Sequence, residues 1–109
     1  MEEVIHEASQ MTWEPLQRFP GTAEVKDLRD EPECGAKTML VRIPAGGHLA
    51  PHSHAGVVQH YVLEGEYESY GQSFPAGTYR RLPKHADVGP VSSTRGATLL
   101  IIYDPVSGV

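Results

Sequence analysis

The sequence predicts an all-β protein, a sandwich or barrel of antiparallel strands, on three observations. Eleven glycines and nine prolines are spread along 109 residues, and turn residues at even spacing between short apolar stretches mark a run of short strands. Residues 37–43 alternate in character: Met39, Val41 and Ile43 face one way, Thr38, Leu40 and Arg42 the other. No helical pattern of about ten to fifteen residues separates the apolar stretches, which disfavours parallel βαβ units.

Taken in order, residues 1–12 form an N-terminal arm ahead of a single domain spanning 13–109. In the arm Val4, Ile5, Ala8 and Met11 fit a short helical stripe, or equally an extended segment that adds to another subunit's sheet. Phe19-Pro20-Gly21 reads as a turn, 22–28 as a strand, 30–35 as a charged loop and 37–43 as the alternating strand. Pro44-Ala45-Gly46-Gly47 ends that strand. Residues 48–54 are a short run and 57–63 a longer one, with Glu64-Gly65-Glu66 as a tight connection. Residues 67–70 continue to a turn at Gly71-Gln72, a second turn is at Pro75-Ala76-Gly77, and 78–82 is a strand stopped by Pro83. The apolar, partly β-branched stretch 97–103 is the last strand, closed by Asp104-Pro105.

Fourteen acids face nine bases, a net charge of −5, and the bases form no run that would neutralise a line of phosphates, so nucleic acid is not an expected partner. The start, Met1-Glu2-Glu3, is acidic and no apolar segment approaches ~20 residues, so neither a signal peptide nor a membrane span is expected, and the expected compartment is the cytoplasm. The one cysteine, Cys34, has no histidine close in sequence and reads as a free thiol.

Chemistry concentrates in the histidines. His48, His52 and His54 fall within seven residues, and His6, His60 and His85 complete the set. His52 and His54 are two apart, so on a strand their imidazoles share a face and converge on one ion. Imidazole suits zinc, copper, iron and nickel. Alone, a His-x-His fits solvated surface histidines just as well.

The context of the pair resembles the first motif of the cupin superfamily: Gly46, five residues, His52-Ser53-His54, then a strand ending Tyr61-Val62-Leu63-Glu64-Gly65. Gly77, five residues and Pro83-Lys84 match the first half of the second cupin motif. The resemblance covers about 13–104, and is nearest to the small single-domain group that includes anti-sigma-factor sensors and aromatic or diketone dioxygenases. It implies a cupin-type double-stranded β-helix, a jelly-roll barrel, holding a divalent transition metal, iron first, with zinc, nickel or manganese as alternatives. Two positions depart from the pattern. Val58 stands where a carboxylate or amide ligand is usual, and Val88 where a histidine is usual. Either the site is rebuilt as His52, His54, His85 and one of His60 or Gln59, or it is a weakened site on a surviving fold. Glu68 is a further candidate ligand or general base.

Arg42, Tyr61, Tyr67, Tyr70, Tyr79, Arg81 and Tyr103 are candidate pocket residues, about half of which must face outward. Arg80 and Arg81 are adjacent, so at most one points inward. The resemblance implies a metal-dependent oxygenase acting on a small diketone, enediol or aromatic substrate. The alternative is a non-catalytic ligand-binding or sensor cupin, and a metal-free epimerase ranks last because it leaves the His-x-His unexplained. Exposed sheet edges predict a homodimer.

Overall fold

The computed structural model describes residues 2–16, 22–49, 52–53 and 55–106, and for 52, 53, 87 and 88 the backbone alone. The expected turn at Phe19-Pro20-Gly21 and the candidate ligand His54 lie outside the described residues.

Within them the strands are β1 (Glu14–Pro15), β2 (Glu24–Glu31), β3 (Ala36–Ile43), β4 (Gly47–Leu49), β5 (His52–Ser53), β6 (Val58–Ser69), β7 (Gln72–Pro75), β8 (Tyr79–Leu82), β9 (Asp87–Val88), β10 (Val91–Ser93) and β11 (Ala97–Tyr103). Each of their ladders is antiparallel. The sheet runs β1-β2-β3-β11-β6-β10-β4, with β7 and β8 also on β6, and β5 pairs with β9. The only helical element described is a single 3-10 turn, Ala8–Gln10. No helix among the described residues is long and apolar enough to cross a membrane.

The alternation read in 37–43 sets the core. Met39, Val41 and Ile43 are buried, as are Leu99, Ile101 and Tyr103 on β11, which pairs with β3 residue for residue. Burying one such aliphatic side chain stabilises the fold by about 1.5–3 kcal/mol. Thr38, Leu40 and Arg42 stand on the outer face, half-buried.

The central strand β6 departs from the sequence reading. Glu64-Gly65-Glu66 is a bulge inside one strand, not a connection between two. Thr98 pairs with Glu64 but Leu99 pairs with Val62, so Leu63 is the extra residue. Gly65 takes φ +74, and a Cβ there would overlap the carbonyl oxygen of Gly96. The backbone hydrogen bonds continue through the bend: the Ala76 amide donates to Gly65 O at 2.9 Å and the Glu66 amide to Gly96 O at 3.3 Å. A bulge shifts side-chain parity. Val58, His60 and Val62 are buried before it, Tyr67 and Ser69 after it. The first half of β6 lies between β11 and β8, and the second half pairs with β7 and β10, so this strand turns the corner between two parts of the sheet.

Other boundaries shift by a few residues. The strand expected at 22–28 runs to Glu31, its ladder to β3 continuing past Asp27, and its exposed charges make ion pairs: Arg29 Nη2 to Glu31 at 2.6 Å, and Lys37 Nζ, itself half-buried, to Asp27 and Asp30 at 3.5 and 3.7 Å. The hairpin turn is Tyr70-Gly71, with φ +49 and +77, the left-handed pair a two-residue hairpin needs. The Tyr70 ring lies where a Cβ of Gly89 would be, which ties this hairpin to the segment entering β10. The arm joins the sheet through Lys26, whose Nζ donates to Ala8 O and sits 4.6 Å from the Trp13 ring.

Candidate functional site

The inner face of the sheet carries three polar side chains together: His60, Tyr67 and Arg80. His60 and Arg80 are direct ladder partners on β6 and β8. The Leu82–Val58 pair two residues away is buried, which fixes this as the inner face. Tyr67 reaches the same space because the bulge has changed the parity of β6. His60 is 3% exposed and Tyr67 fully buried.

The geometry is specific. His60 Nδ1 lies 2.9 Å from Tyr67 Oη, their rings edge to face at 5.9 Å. Arg80 Nη1 donates to the same Oη at 2.9 Å. The Arg80 guanidinium also lies 4.3 Å from the Phe74 ring centre and 5.9 Å from that of Tyr67, a cation–π arrangement. Burial pushes the Tyr67 phenol above its ordinary pKa, while the Arg80 hydrogen bond and charge pull it back. Tyr67 is therefore a neutral phenol near pH 7.

That neutrality constrains His60. A guanidinium only donates, so Tyr67 accepts from Arg80 and has its own proton to place. Either the phenol donates to Nδ1, leaving the imidazole proton on Nε2, or Nδ1–H donates to the phenol, leaving Nε2 as the base. Only the second tautomer is a metal ligand through Nε2, with its far nitrogen oriented as ligating histidines commonly are.

The other expected site residues are placed as follows. His52 is on β5, its backbone paired with Val88 on β9, and its side chain is outside the description, as is all of His54. His85 is exposed at φ +60 in the turn after Leu82, two residues before Asp87, the ladder partner of Ser53. The strand pair thus ties the His85 turn closely to the segment that carries His52. Gln59 faces away from His60: its Nε2 donates to Asp104 Oδ1 at 2.8 Å and its Oε1 accepts from Tyr79 Oη at 2.8 Å. Glu68 is held by Thr94, whose Oγ1 and amide donate to Oε1 at 2.6 and 3.2 Å, while Oε2 is buried without a partner. Arg42 is an outer-face ion pair, its Nη2 2.8 Å from Glu24 Oε1 and its guanidinium 4.4 Å from the Trp13 ring. Tyr61, Tyr79 and Arg81 point outward and are exposed; Tyr103 points in and is buried.

Among the described residues no three His, Cys, Asp or Glu side chains gather as a metal site. A three-imidazole set built on His60 therefore needs at least one of His52 and His54. Arg80 is the inward residue that the pocket candidates omitted. Its signal was in the sequence: Arg80 shares parity with apolar Leu82, and Arg81 does not.

Comparison with solved structures places this geometry in context. An acetylacetone dioxygenase from Acinetobacter johnsonii superposes with a TM-score of 0.74 at 20% identity, over 94% of this chain and 76% of that one. An RmlC-like cupin from Shewanella frigidimarina gives 0.78 at 20%, over 98% and 95%. The anti-sigma factor ChrR, in its complex with SigE from Rhodobacter sphaeroides, gives 0.71 at 23%, over 90% of this chain and 51% of that chain. At these identities the likeness is one of fold. None of the curated proteins matches the chain. A family profile described as ChrR cupin-like domain matches residues 1–107, nearly the whole length, so this curled antiparallel sheet with its inward histidine belongs to the ChrR cupin-like family.

Proposed function

We propose that this cupin binds one divalent transition metal, iron foremost, with zinc, nickel or manganese as alternatives, and acts as an oxygenase on a small diketone, enediol or aromatic substrate. The observation that carries the reading is His60, buried on the inner face with Nδ1 held 2.9 Å from a fixed phenol. His52, His54 and His60 are the proposed ligands, with His85 as a fourth from the neighbouring turn. Such a donor set of imidazoles suits late first-row metals. A metal held there supplies Lewis acidity and open positions for substrate. The chain's own part is to orient the imidazole through Tyr67, to shield it with Val58 and Val62, and to place a guanidinium beside it. The dioxygenase named above supports the reaction class as a fold precedent.

Elemental analysis of purified protein tests the reading. About one transition-metal ion per chain is expected, falling to a small fraction in His52→Ala and His54→Ala. Metal-free protein that also fails to take up iron or zinc on titration sinks it.

Val58 favours a second reading. It is buried on the inner face where the family pattern has a polar ligand, as in a sensor that holds ligand without turnover. Oxygen uptake with diketone or catechol-type substrates decides between the two. We further propose a homodimer, formed through the outer face of the sheet.

A further inference from the structure

We infer that Arg80 is an anion-binding residue inside the barrel, and that the ligand of this site carries a carboxylate or enolate. This deepens the reading above and rests on it for the location of the site, but not for the metal.

Arg80 is half-buried on the inner face. Among the described residues the ion pairs are Arg29–Glu31, Lys37 with Asp27 and Asp30, and Arg42–Glu24. Arg80 takes part in none, although the chain has fourteen acids against nine bases. Arg81, Arg95 and Lys26 also lack ion pairs, but Arg81 and Arg95 are exposed, where water solvates the charge at little cost, and Lys26, buried on the outer face, is held by the Ala8 carbonyl and the Trp13 ring. A charge drawn out of water without a counter-charge is costly, so its retention facing inward calls for a function.

The side chain is also preorganised. One N–H is spent on Tyr67 Oη at 2.9 Å, and the guanidinium plane lies over the Phe74 ring at 4.3 Å. Of five N–H donors in a rigid fork, this leaves others to take a planar oxyanion in the two-point manner guanidinium favours. Tyr67 is fully buried and Phe74 packs behind; both are positioning residues, and only Arg80 meets the ligand. Its ladder partner is His60, so Cα atoms about 5 Å apart put a bound anion next to the imidazole. Diketones and enediols ionise to enolates, and that chemistry matches a fixed cation.

The probe is pyruvate, with pyruvamide as its neutral isostere, titrated calorimetrically into protein as purified and again after chelator treatment. Pyruvate is expected to bind at least about tenfold more tightly than pyruvamide, and Arg80→Gln to abolish that preference. Arg42→Gln, which removes an ion-paired arginine on the outer face, leaves it intact. Equal affinity for the two probes, or an unchanged preference in Arg80→Gln, overturns the inference. Phenylglyoxal labelling of the wild-type protein reads the same point without a variant. Pyruvate is expected to protect Arg80, and protection of another arginine, or of none, overturns it. Arg80-dependent binding in protein that neither carries metal as purified nor takes up iron or zinc on titration leaves this inference standing and sinks the metal reading alone.

Discussion

Tyr67 Oη lies 2.9 Å from both His60 Nδ1 and Arg80 Nη1. Removing its hydroxyl in Tyr67→Phe deletes the hydrogen bonds it makes with His60 Nδ1 and Arg80 Nη1, a loss of about 1–3 kcal/mol. It also changes the response to alkali. The unfolded phenol ionises near pH ~10, and burial holds the folded one higher. Between those values the folded protein keeps a proton that the unfolded chain has released, so stability falls as pH rises. The contribution is fully present below about pH 10 and lost as pH passes the folded value. Urea unfolding of chelator-treated protein from about pH 9 to pH 11 is therefore expected to show a steeper loss in the wild type than in Tyr67→Phe. Parallel curves would remove the phenol from this account.

At the scale of the element, the bulge in β6 is what brings His60 and Tyr67, seven residues apart and of opposite parity, to one face. Gly65 makes the bulge: its φ of +74 suits glycine, and a side chain would meet Gly96 O, which belongs to the backbone and cannot swing aside. Gly65→Ala is expected to cost more than about 2 kcal/mol. It should also move the His60 and Tyr67 ring signals in NMR spectra, since a straightened strand would turn one of them outward. A variant with wild-type stability and unmoved ring signals would show that the bend does not depend on this glycine. The same strand shows why Gln59 and His60 were hard to separate. Gln59 fits the longer variant of the spacing after the His-x-His and His60 shares parity with Val58, and the ladder decides: His60 opposes Ile101 and Arg80, with buried Val58 and Val62 two residues to either side.

For the whole molecule, the outer face of the sheet explains why a second copy is expected. Lys26, Leu40, Leu100, Tyr61 and Tyr79 lie in one row across five strands. Tyr61, Leu63 and Tyr79 are 42, 43 and 52% exposed, and Val4 and Ile5 of the arm 70 and 78%. Pairing of two copies through this face would bury both apolar areas. The part of β2 beyond its two-residue pairing with β1 is a poorer contact, because its charges and the register shift between Asp27 and Arg29 blunt it. Light scattering is expected to give twice the chain mass, and Tyr61→Glu to give the single mass with cooperative unfolding retained. A wild-type chain that runs as a monomer rules the dimer out.

The sequence by itself determined the all-β class, the strand from Lys37 to Ile43, the strand from Ala97 to Tyr103 and, to within one residue, the turn at Gly71, because alternation, β-branching and glycine act over a few residues. It also marked His60, His52, His54 and His85 as the imidazoles to watch. It could not say which of Gln59 and His60 faces inward, that Glu64-Gly65-Glu66 bends one strand rather than joining two, or that Arg80 pairs across the ladder with His60. Those depend on ladder register between residues far apart in the chain, where one extra residue reverses every side chain beyond it. The tertiary structure alone set a phenol against His60 and a guanidinium against that phenol, because both contacts cross between strand positions that no local pattern relates.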